Sequence, residues 1–246
     1  MTAEVDTIVR NTVRSLPIGD VFFEGDDGDG PVKSLFRLEE HSCSLSALRR
    51  HPKLLALGRA LHGQLALPSS LPSKQGGHGE KEAEEDDTLG PRGVSVGLFA
   101  KAAGVGAPFA PHQDNTFQNY RPAQCSTLTL ALDASTQENG PLVMQAGSHL
   151  LGDLPHRPTG VLGLSKTLVT PLSLAVHPEV AIELQPGDVS AHAYLTVHRS
   201  DPNTSAKPRR QLAMGIVGAG AKQDEASMVA YREVLEQDIG EAKPRL

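Results

Sequence analysis

Residues 187–198 read GDVSAHAYLTVH and alternate between apolar and polar side chains at the two-residue period of a β-strand. The polar face carries Ser190, His192, Tyr194, Thr196 and His198. A face that only meets water would favour Lys and Glu, so histidine, tyrosine and threonine at these positions indicate the lining of a cavity. We therefore predict one strand over 189–198. A plain surface strand has the same alternation and is the alternative interpretation.

A short motif upstream, His112-Gln113-Asp114, supplies an imidazole and a carboxylate two positions apart. Two imidazoles and one carboxylate on one side of a metal are the ligands of a non-haem Fe(II) oxygenase, because they hold the ion and leave adjacent positions open. His-x-Asp alone arises often by chance. The prediction therefore depends on a second histidine, and His198 at the end of the alternating run is the candidate.

An arginine pair follows eleven positions after His198. On a strand that starts there, Arg209 shares a face with Gln211 and Ala213, and Arg210 points the opposite way with the apolar residues. The planar guanidinium of Arg209 could therefore grip a dicarboxylate through two parallel hydrogen bonds. A solvated surface charge is the alternative for any single arginine.

These pieces belong to an ordered set of short motifs between residues 94 and 217. The chain resembles the phytanoyl-CoA dioxygenase family of Fe(II)/2-oxoglutarate-dependent oxygenases, in which similar pieces occur in the same order. The matching pieces are Pro111-His112-Gln113-Asp114, Leu130-Ala131-Leu132-Asp133, Glu138-Asn139-Gly140-Pro141-Leu142, Gly147-Ser148-His149, Pro186-Gly187-Asp188 and the run from His198 to Arg210.

The resemblance implies a role for each matching residue. His112, Asp114 and His198 would be the iron ligands, and Arg209 would bind the distal carboxylate of 2-oxoglutarate. Thr129 and Lys101 correspond to positions near the co-substrate. The implied fold is a mostly β double-stranded β-helix, a jelly-roll, cupin-like barrel with helical decoration. The implied activity is hydroxylation with Fe(II), 2-oxoglutarate and O2, releasing succinate and CO2.

Two departures from the family pattern bear on the substrate. Arg199 follows the second histidine where glycine is common, and Thr129 stands where some relatives carry a bulky aromatic residue; the chain has no Trp. Asp114, which halogenating relatives replace with a small residue, is retained. Hydroxylation is therefore the implied outcome, with a small-molecule or acyl-type substrate that the sequence does not identify.

Composition agrees with one globular enzyme domain over 1–246. Eighteen Pro, twenty-four Gly and many short alternating runs are typical of a β-barrel or sandwich. A net charge of −6 argues against non-specific nucleic-acid binding. Two cysteines are too few for a disulfide framework, and no apolar run reaches membrane-spanning length. We expect a cytoplasmic protein with a small-molecule substrate and no evident protein partner; Pro244-Arg245-Leu246 loosely resembles a peroxisomal ending.

The remaining elements are predicted from periodicity and turn signals. Helices are expected over 4–16, over 44–63 as a pair interrupted at Pro52 and capped by Ser44 or Ser46, and over 223–242. Strands are expected over 21–23, 35–38, 94–101, 126–133, 142–145, 181–184, 189–198 and 209–217. The acidic segment 68–93 has the composition of a disordered insertion.

Two other functions share this pattern. One is a cupin-like metal protein with non-oxygenase chemistry, and the other is a barrel that has lost turnover and binds a ligand. Four further side chains stay open between roles: His192 and Tyr194 as substrate contacts or structural polar groups, and His149 and His156 as turn residues or neighbours of the substrate entrance.

Overall fold

The computed structural model describes residues 1–17, 19–25, 30–62, 92–161, 164–218 and 220–241. Its helices are α1 (Thr2–Asn11), α2 (Cys43–Leu48), α3 (Pro52–His62), α4 (Asn115–Gln118) and α5 (Glu225–Glu241). Its strands are β1 (Val21–Phe23), β2 (Val32–Leu35), β3 (Arg92–Lys101), β4 (Phe109–His112), β5 (Tyr120–Arg121), β6 (Cys125–Ala131), β7 (Leu142–Gln145), β8 (His156–Val161), β9 (Leu164–Leu168), β10 (Glu179–Ile182), β11 (Val189–Ala193), β12 (His198–Ser200), β13 (Arg209–Val217) and β14 (Lys222–Gln223).

Two antiparallel sheets form the body of the protein. The larger has the order β1-β2-β3-β13-β6-β11, and the smaller has the order β10-β7-β12-β4. Alternate residues of β13 face opposite sides of the larger sheet, one side toward the apolar core and the other toward a cavity. Leu212, Met214 and Ile216 are buried in the apolar core, whereas Arg209 and Gln211 on the other face line a cavity. This mostly β architecture confirms the fold class predicted from the sequence.

The prediction of one strand over residues 189–198 is wrong, because this run forms two strands in different sheets. β11 ends at Ala193 and pairs with β6 in the larger sheet, and β12 begins at His198 and pairs with β4 and β7 in the smaller sheet. The chain turns over residues 194–197 and crosses between the layers. Alternation of side chains records which residues face inward, and it does not reveal a change of sheet.

Helices α1, α2 and α3 pack on the outer side of the larger sheet. Val5 and Ile8 of α1 belong to the same buried cluster as Leu212 and Ile216 of β13. The pair predicted over 44–63 is present as α2 and α3, with Pro52 as the first residue of α3. Its N-terminal cap is neither predicted serine: Ser42 accepts the backbone N–H of Leu45 at 3.1 Å.

Other strand boundaries also differ from the sequence prediction: the strand predicted over 181–184 lies at Glu179–Ile182. The second short extended piece lies at Val32–Leu35, so only Leu35 of the predicted 35–38 segment is in a strand. The acidic segment 68–93 lies outside the described residues except for the start of β3, and its predicted disorder stays a prediction.

None of the helices that the structure describes has the length and apolar character needed to cross a membrane.

Candidate active site

Three side chains that are distant in sequence meet between the two sheets. β4 and β12 are antiparallel neighbours, and their register sets His112 directly opposite His198. Asp114 follows β4 at the start of α4, where the chain turns back toward the same point. One possible ligand atom from each residue lies within 4.8 Å of the others, and the two imidazole rings are 4.3 Å apart between centroids.

Backbone contacts fix which nitrogen of each imidazole faces this point. Nδ1 of His112 lies 2.7 Å from the carbonyl oxygen of Ala110, and Nδ1 of His198 lies 3.0 Å from that of Thr196. Because a carbonyl only accepts, Nδ1 carries the proton in both rings and Nε2 keeps its lone pair. Burial lowers the pKa of His112 and lowers that of His198 to about 3, so both rings are neutral at pH 7.

The carboxylate of Asp114 is held by one of its oxygens. Oδ2 accepts hydrogen bonds from the hydroxyl of Thr127 and from Nε2 of His192, the latter at 3.1 Å. Oδ1 lies 3.8 Å from Nε2 of His112 and 3.5 Å from Nε2 of His198. Burial would raise the pKa of Asp114, but the imidazole of His198 and the hydrogen bond from His192 outweigh it and lower the pKa.

This donor set fits a divalent iron. Two neutral Nε2 lone pairs and one anionic oxygen converge from one side, as the two-histidine, one-carboxylate arrangement of non-haem Fe(II) sites requires. Thr127 and His192 occupy the second carboxylate oxygen and so favour coordination of a metal through Oδ1. The cavity beside the cluster leaves room for further ligands.

Gln113, the middle residue of the motif, holds the loop that carries Asp114. It is 1% exposed, and its side-chain nitrogen donates to the carbonyl oxygens of Leu195 at 2.7 Å and Gly152 at 2.9 Å. Its backbone N–H donates to Nε2 of His156 at 3.1 Å, whereas His149 is exposed. His156 therefore supports the loop that carries Asp114.

A cavity of about 350 Å³ opens from the three-residue cluster, and its walls are mainly aromatic and aliphatic. One wall is a chain of edge-to-face rings at centroid spacings of 6.0, 5.7 and 6.0 Å, formed by Phe22, Phe36, Phe99 and Phe109. On another side, Phe117 of α4 packs against His112 at 5.5 Å and against Tyr231 of α5 at 5.9 Å. The side of the cluster that faces the cavity is therefore bounded mainly by apolar side chains.

Arg209 lines the same cavity and is 2% exposed. Its Nε and Nη2 donate to the carbonyl oxygen of Gly140 at 3.1 and 2.7 Å, and its Nη1 donates to Oε1 of Gln211 at 2.9 Å. No carboxylate of the described chain forms an ion pair with it. Burial lowers its pKa to about 10, so it remains charged at pH 7. A buried cation without a counter-ion is costly, and an anionic ligand would relieve that cost.

Gly140 makes this arrangement of Arg209 possible. Its φ of 75° is left-handed, and an added Cβ would lie 2.2 Å from the carbonyl oxygen of Asp201. Glycine is therefore required where the Asn139-Gly140 turn brings a carbonyl to the guanidinium.

The other two residues predicted to lie near the co-substrate differ in placement. Thr129 is buried and lines the cavity. Lys101 is 0% exposed, donates to the carbonyl oxygen of Ala107 and has its ammonium 5.2 Å from the centroid of Phe109. It is not among the residues that line the cavity. The structure thus brings His112, Asp114, His198, Arg209 and Thr129 to one cavity and leaves Lys101 behind its wall.

Thr127 was missed as a contributor to the site. It shares a strand face with Thr129 two positions later, so the alternation of β6 was a signal for its inward direction. Its contact with Asp114 joins residues on separate elements, which no local pattern reports. Tyr194, which the sequence left open, is buried and lines the cavity, and burial raises the pKa of its hydroxyl.

Comparison with known proteins agrees with this geometry. The family model described as phytanoyl-CoA dioxygenase matches residues 3–211. A phytanoyl-CoA dioxygenase of Arabidopsis thaliana is 33% identical over 117 residues, which are 48% of this chain and 41% of that protein. The aligned part therefore spans less than half of the length of that curated relative.

Solved structures show the same fold at low identity. The non-haem monooxygenase ThoJ has a TM-score of 0.64 at 18% identity, with 97% of this chain and 89% of that chain covered. EctD from S. alaskensis, solved with 2-oxoglutarate and 5-hydroxyectoine, has a TM-score of 0.63 at 17% identity, with 88% and 66% covered. With its two-histidine, one-aspartate cluster intact, the chain belongs to the phytanoyl-CoA dioxygenase family of iron- and 2-oxoglutarate-dependent oxygenases.

Proposed function

We propose that this protein hydroxylates a small molecule, or the acyl part of a larger one, with Fe(II), 2-oxoglutarate and O2, and releases succinate and CO2. The observation that carries the proposal is a single cavity with two different anchors. Three side chains that could hold a metal line it, together with a buried arginine that has no anionic partner among the described residues. A 2-oxo dicarboxylic acid meets both requirements, since one end chelates a metal and the other is an anion.

Each side chain has a defined part in this reaction. His112, Asp114 and His198 would hold the ion through Nε2, Oδ1 and Nε2, and Arg209 would bind the distal carboxylate of the co-substrate. Bound iron supplies the redox chemistry with O2 that oxidises the substrate while 2-oxoglutarate is decarboxylated. The aromatic walls exclude water, so that competing reductants stay out. The EctD structure with 2-oxoglutarate supports this choice of co-substrate.

The charges in the cavity indicate which part of a substrate enters it. Three ionic side chains are found in the described lining: Asp114, Arg199 and Arg209. Asp114 and Arg209 have the roles given above. Arg199 is engaged by Glu179 at 2.6 and 2.7 Å and by Asp201 at 2.6 Å.

No ionic group of the described lining is therefore left to pair with a charged substrate. Since an unpaired ion is costly to bury, the portion that reaches the metal is uncharged and mainly apolar. A charged head group of an acyl-type substrate would have to remain outside.

The test is a substrate screen read out by succinate, run with Fe(II), 2-oxoglutarate and O2. Candidates are supplied in matched pairs, an apolar amide or alcohol against the carboxylate of the same skeleton, together with acyl-CoA thioesters and free amino acids. We expect neutral or acyl-chain compounds to stimulate succinate formation. Stimulation by free amino acids or small carboxylates alone would contradict the substrate class.

A second measurement tests the co-substrate directly. Anaerobic addition of Fe(II) and 2-oxoglutarate should give the weak visible charge-transfer band of a chelated 2-oxo acid. A protein that binds Fe(II) tightly and gives no band would refute the oxygenase proposal and favour a metal protein with other chemistry.

A further inference from the structure

Gln211 presents a buried amide that is only half satisfied. It is 2% exposed, lies two residues after Arg209 on the same face of β13, and lines the cavity. Its Oε1 accepts a hydrogen bond from Nη1 of Arg209 at 2.9 Å. Among the described residues its Nε2 has no hydrogen-bond partner.

The orientation of this amide follows from its neighbour. A glutamine amide can take two orientations of nearly the same shape, with its oxygen and nitrogen exchanged, and the hydrogen-bond network decides between them. A guanidinium can only donate, so the amide atom that faces Arg209 must be the oxygen. Nε2 then points away from Arg209 with both of its protons free.

Arg209 has unused donors beside this amide. Of its five N–H groups, Nε and one on Nη2 bind the carbonyl of Gly140, and one on Nη1 binds Gln211. One N–H on each terminal nitrogen has no acceptor among the residues that the structure describes. Together the two side chains offer up to four free donors in a buried place, and unpaired buried donors are unfavourable. A ligand with two acceptor oxygens would satisfy them.

We infer that Gln211 is a second binding residue for the distal carboxylate of a 2-oxo dicarboxylic acid, which it holds jointly with Arg209. This inference rests on the proposed function. Gln211 acts in two ways: it fixes the guanidinium through Oε1 and donates to the ligand through Nε2. The pair therefore selects dicarboxylic over monocarboxylic 2-oxo acids.

The test compares two ligands that differ in the distal carboxylate. Dissociation constants of 2-oxoglutarate and 2-oxobutyrate are measured on the anaerobic Fe(II) protein from the charge-transfer band, a readout that needs no turnover. Gln211→Ala should weaken 2-oxoglutarate binding about tenfold, the loss expected for a hydrogen bond to a charged group, and leave 2-oxobutyrate nearly unchanged. Gln211→Glu should weaken it further, because the new carboxylate takes Arg209 and repels the ligand.

Gln145 supplies a matched control. It is buried on β7, does not line this cavity, and has an amide oxygen without a hydrogen-bond partner in the described part of the chain. Gln145→Ala should leave the ratio of the two constants unchanged. Because both ligands are measured on one sample, the ratio is insensitive to a variant that is partly unfolded.

The outcomes separate this inference from the proposed function. If wild type prefers 2-oxoglutarate and Gln211→Ala keeps that preference, Gln211 does not contact the distal carboxylate and the inference fails alone. Equal weakening of both ligands assigns Gln211 a structural role and also overturns it. If wild type binds neither acid with its metal, the proposed function fails and the inference fails with it.

Discussion

His192 donates a hydrogen bond from Nε2 to Oδ2 of Asp114 across 3.1 Å. His192 belongs to β11 in the larger sheet, and Asp114 follows β4 of the smaller one. The contact therefore orients a metal-ligating carboxylate from the opposite layer of the sandwich. Thr127 on β6 contacts the same oxygen, so two neighbouring strands of one sheet position a ligand carried by the other.

Removing the Thr127 hydroxyl should weaken metal binding without disturbing the fold. Thr127→Val keeps the shape of the side chain and deletes one hydrogen bond to Oδ2 of Asp114. We expect Fe(II) affinity to fall by about 10–100-fold, as for other groups that orient a metal ligand. Chelator competition measures the change, and Thr127→Ser should restore most of the affinity. Wild-type affinity in Thr127→Val would mean that His192 alone orients the carboxylate.

Substitutions of the two adjacent arginines should affect different properties, co-substrate binding for Arg209 and the free energy of unfolding for Arg210. Arg209→Lys keeps the charge but loses the planar grip, and Arg209→Ala should cost on the order of 2–5 kcal/mol of co-substrate binding. Arg210 instead binds Asp133 at 2.7 and 2.9 Å and also contacts Asp6 of α1. Arg210→Ala should therefore lower the free energy of unfolding by about 1–3 kcal/mol.

Titration with 2-oxoglutarate and urea unfolding of the arginine variants check this division. Arg210→Ala is expected to bind 2-oxoglutarate as wild type does. Loss of co-substrate affinity in that variant would show that the assigned cavity face of β13 is wrong.

Two glycines of the cavity wall offer a matched pair. An added Cβ at Gly215 would lie 2.3 Å from the hydroxyl of Tyr194 and 2.7 Å from Val94, whereas at Gly97 its nearest neighbour is Phe99 at 3.4 Å. Gly215→Ala should cost about 1–3 kcal/mol of stability through overpacking and displace the Tyr194 ring. Gly97→Ala should change stability by less than about 1 kcal/mol. Urea unfolding of both variants is the measurement, and equal losses would contradict the stated contact.

Lys101 should make stability depend on pH above neutrality. Burial, with a further contribution from Arg209, lowers its pKa to about 7 from the ordinary 10.5. Between these values the unfolded chain binds more protons than the folded one, so stability rises with pH across that window. Relative to Lys101→Met, wild type should gain about 1–2 kcal/mol between pH 7 and 9.

Comparing Lys101→Met with wild type at each pH cancels the other titrating groups, because they are common to both proteins. The measurement is the difference between the two urea unfolding free energies. A difference that stays flat from pH 7 to 9 would show that Lys101 titrates near its ordinary value.

Local patterns predicted many of the strands but not the contacts between them, and the short strands β4, β5, β8, β9 and β14 were not predicted. The alternation in β13 separated Arg209 from Arg210 correctly in direction, and β7 and β13 begin and end where predicted. The crossing between β11 and β12 was missed because inward-facing positions keep the same period when a chain changes sheets. Ser42 was missed as a cap because several serines lie together and only the backbone geometry selects one.

The metal ligands could be proposed from sequence because His112, Asp114 and His198 stand in an ordered set of motifs that resembles one family, whereas His-x-Asp alone arises often by chance. The roles of Gln113, Thr127 and Gln211 could not, since glutamine and threonine are common on any strand or loop. For Gln113 and Thr127 the importance lies in partners supplied by distant elements, Leu195 for Gln113 and Asp114 for Thr127. Lys101 is the opposite case. The family resemblance placed it near the co-substrate, but it is not among the residues that line the cavity.

The contact between Asp6 and Arg210 joins residues 204 positions apart. A ribosome therefore completes α1 long before it makes the strand on which that helix docks. Until β13 emerges, the buried cluster that contains Val5 and Ile8 lacks Leu212, Met214 and Ile216. The larger sheet closes only with its last long strand, and a nascent chain halted before Arg209 should remain sensitive to protease at its first helix.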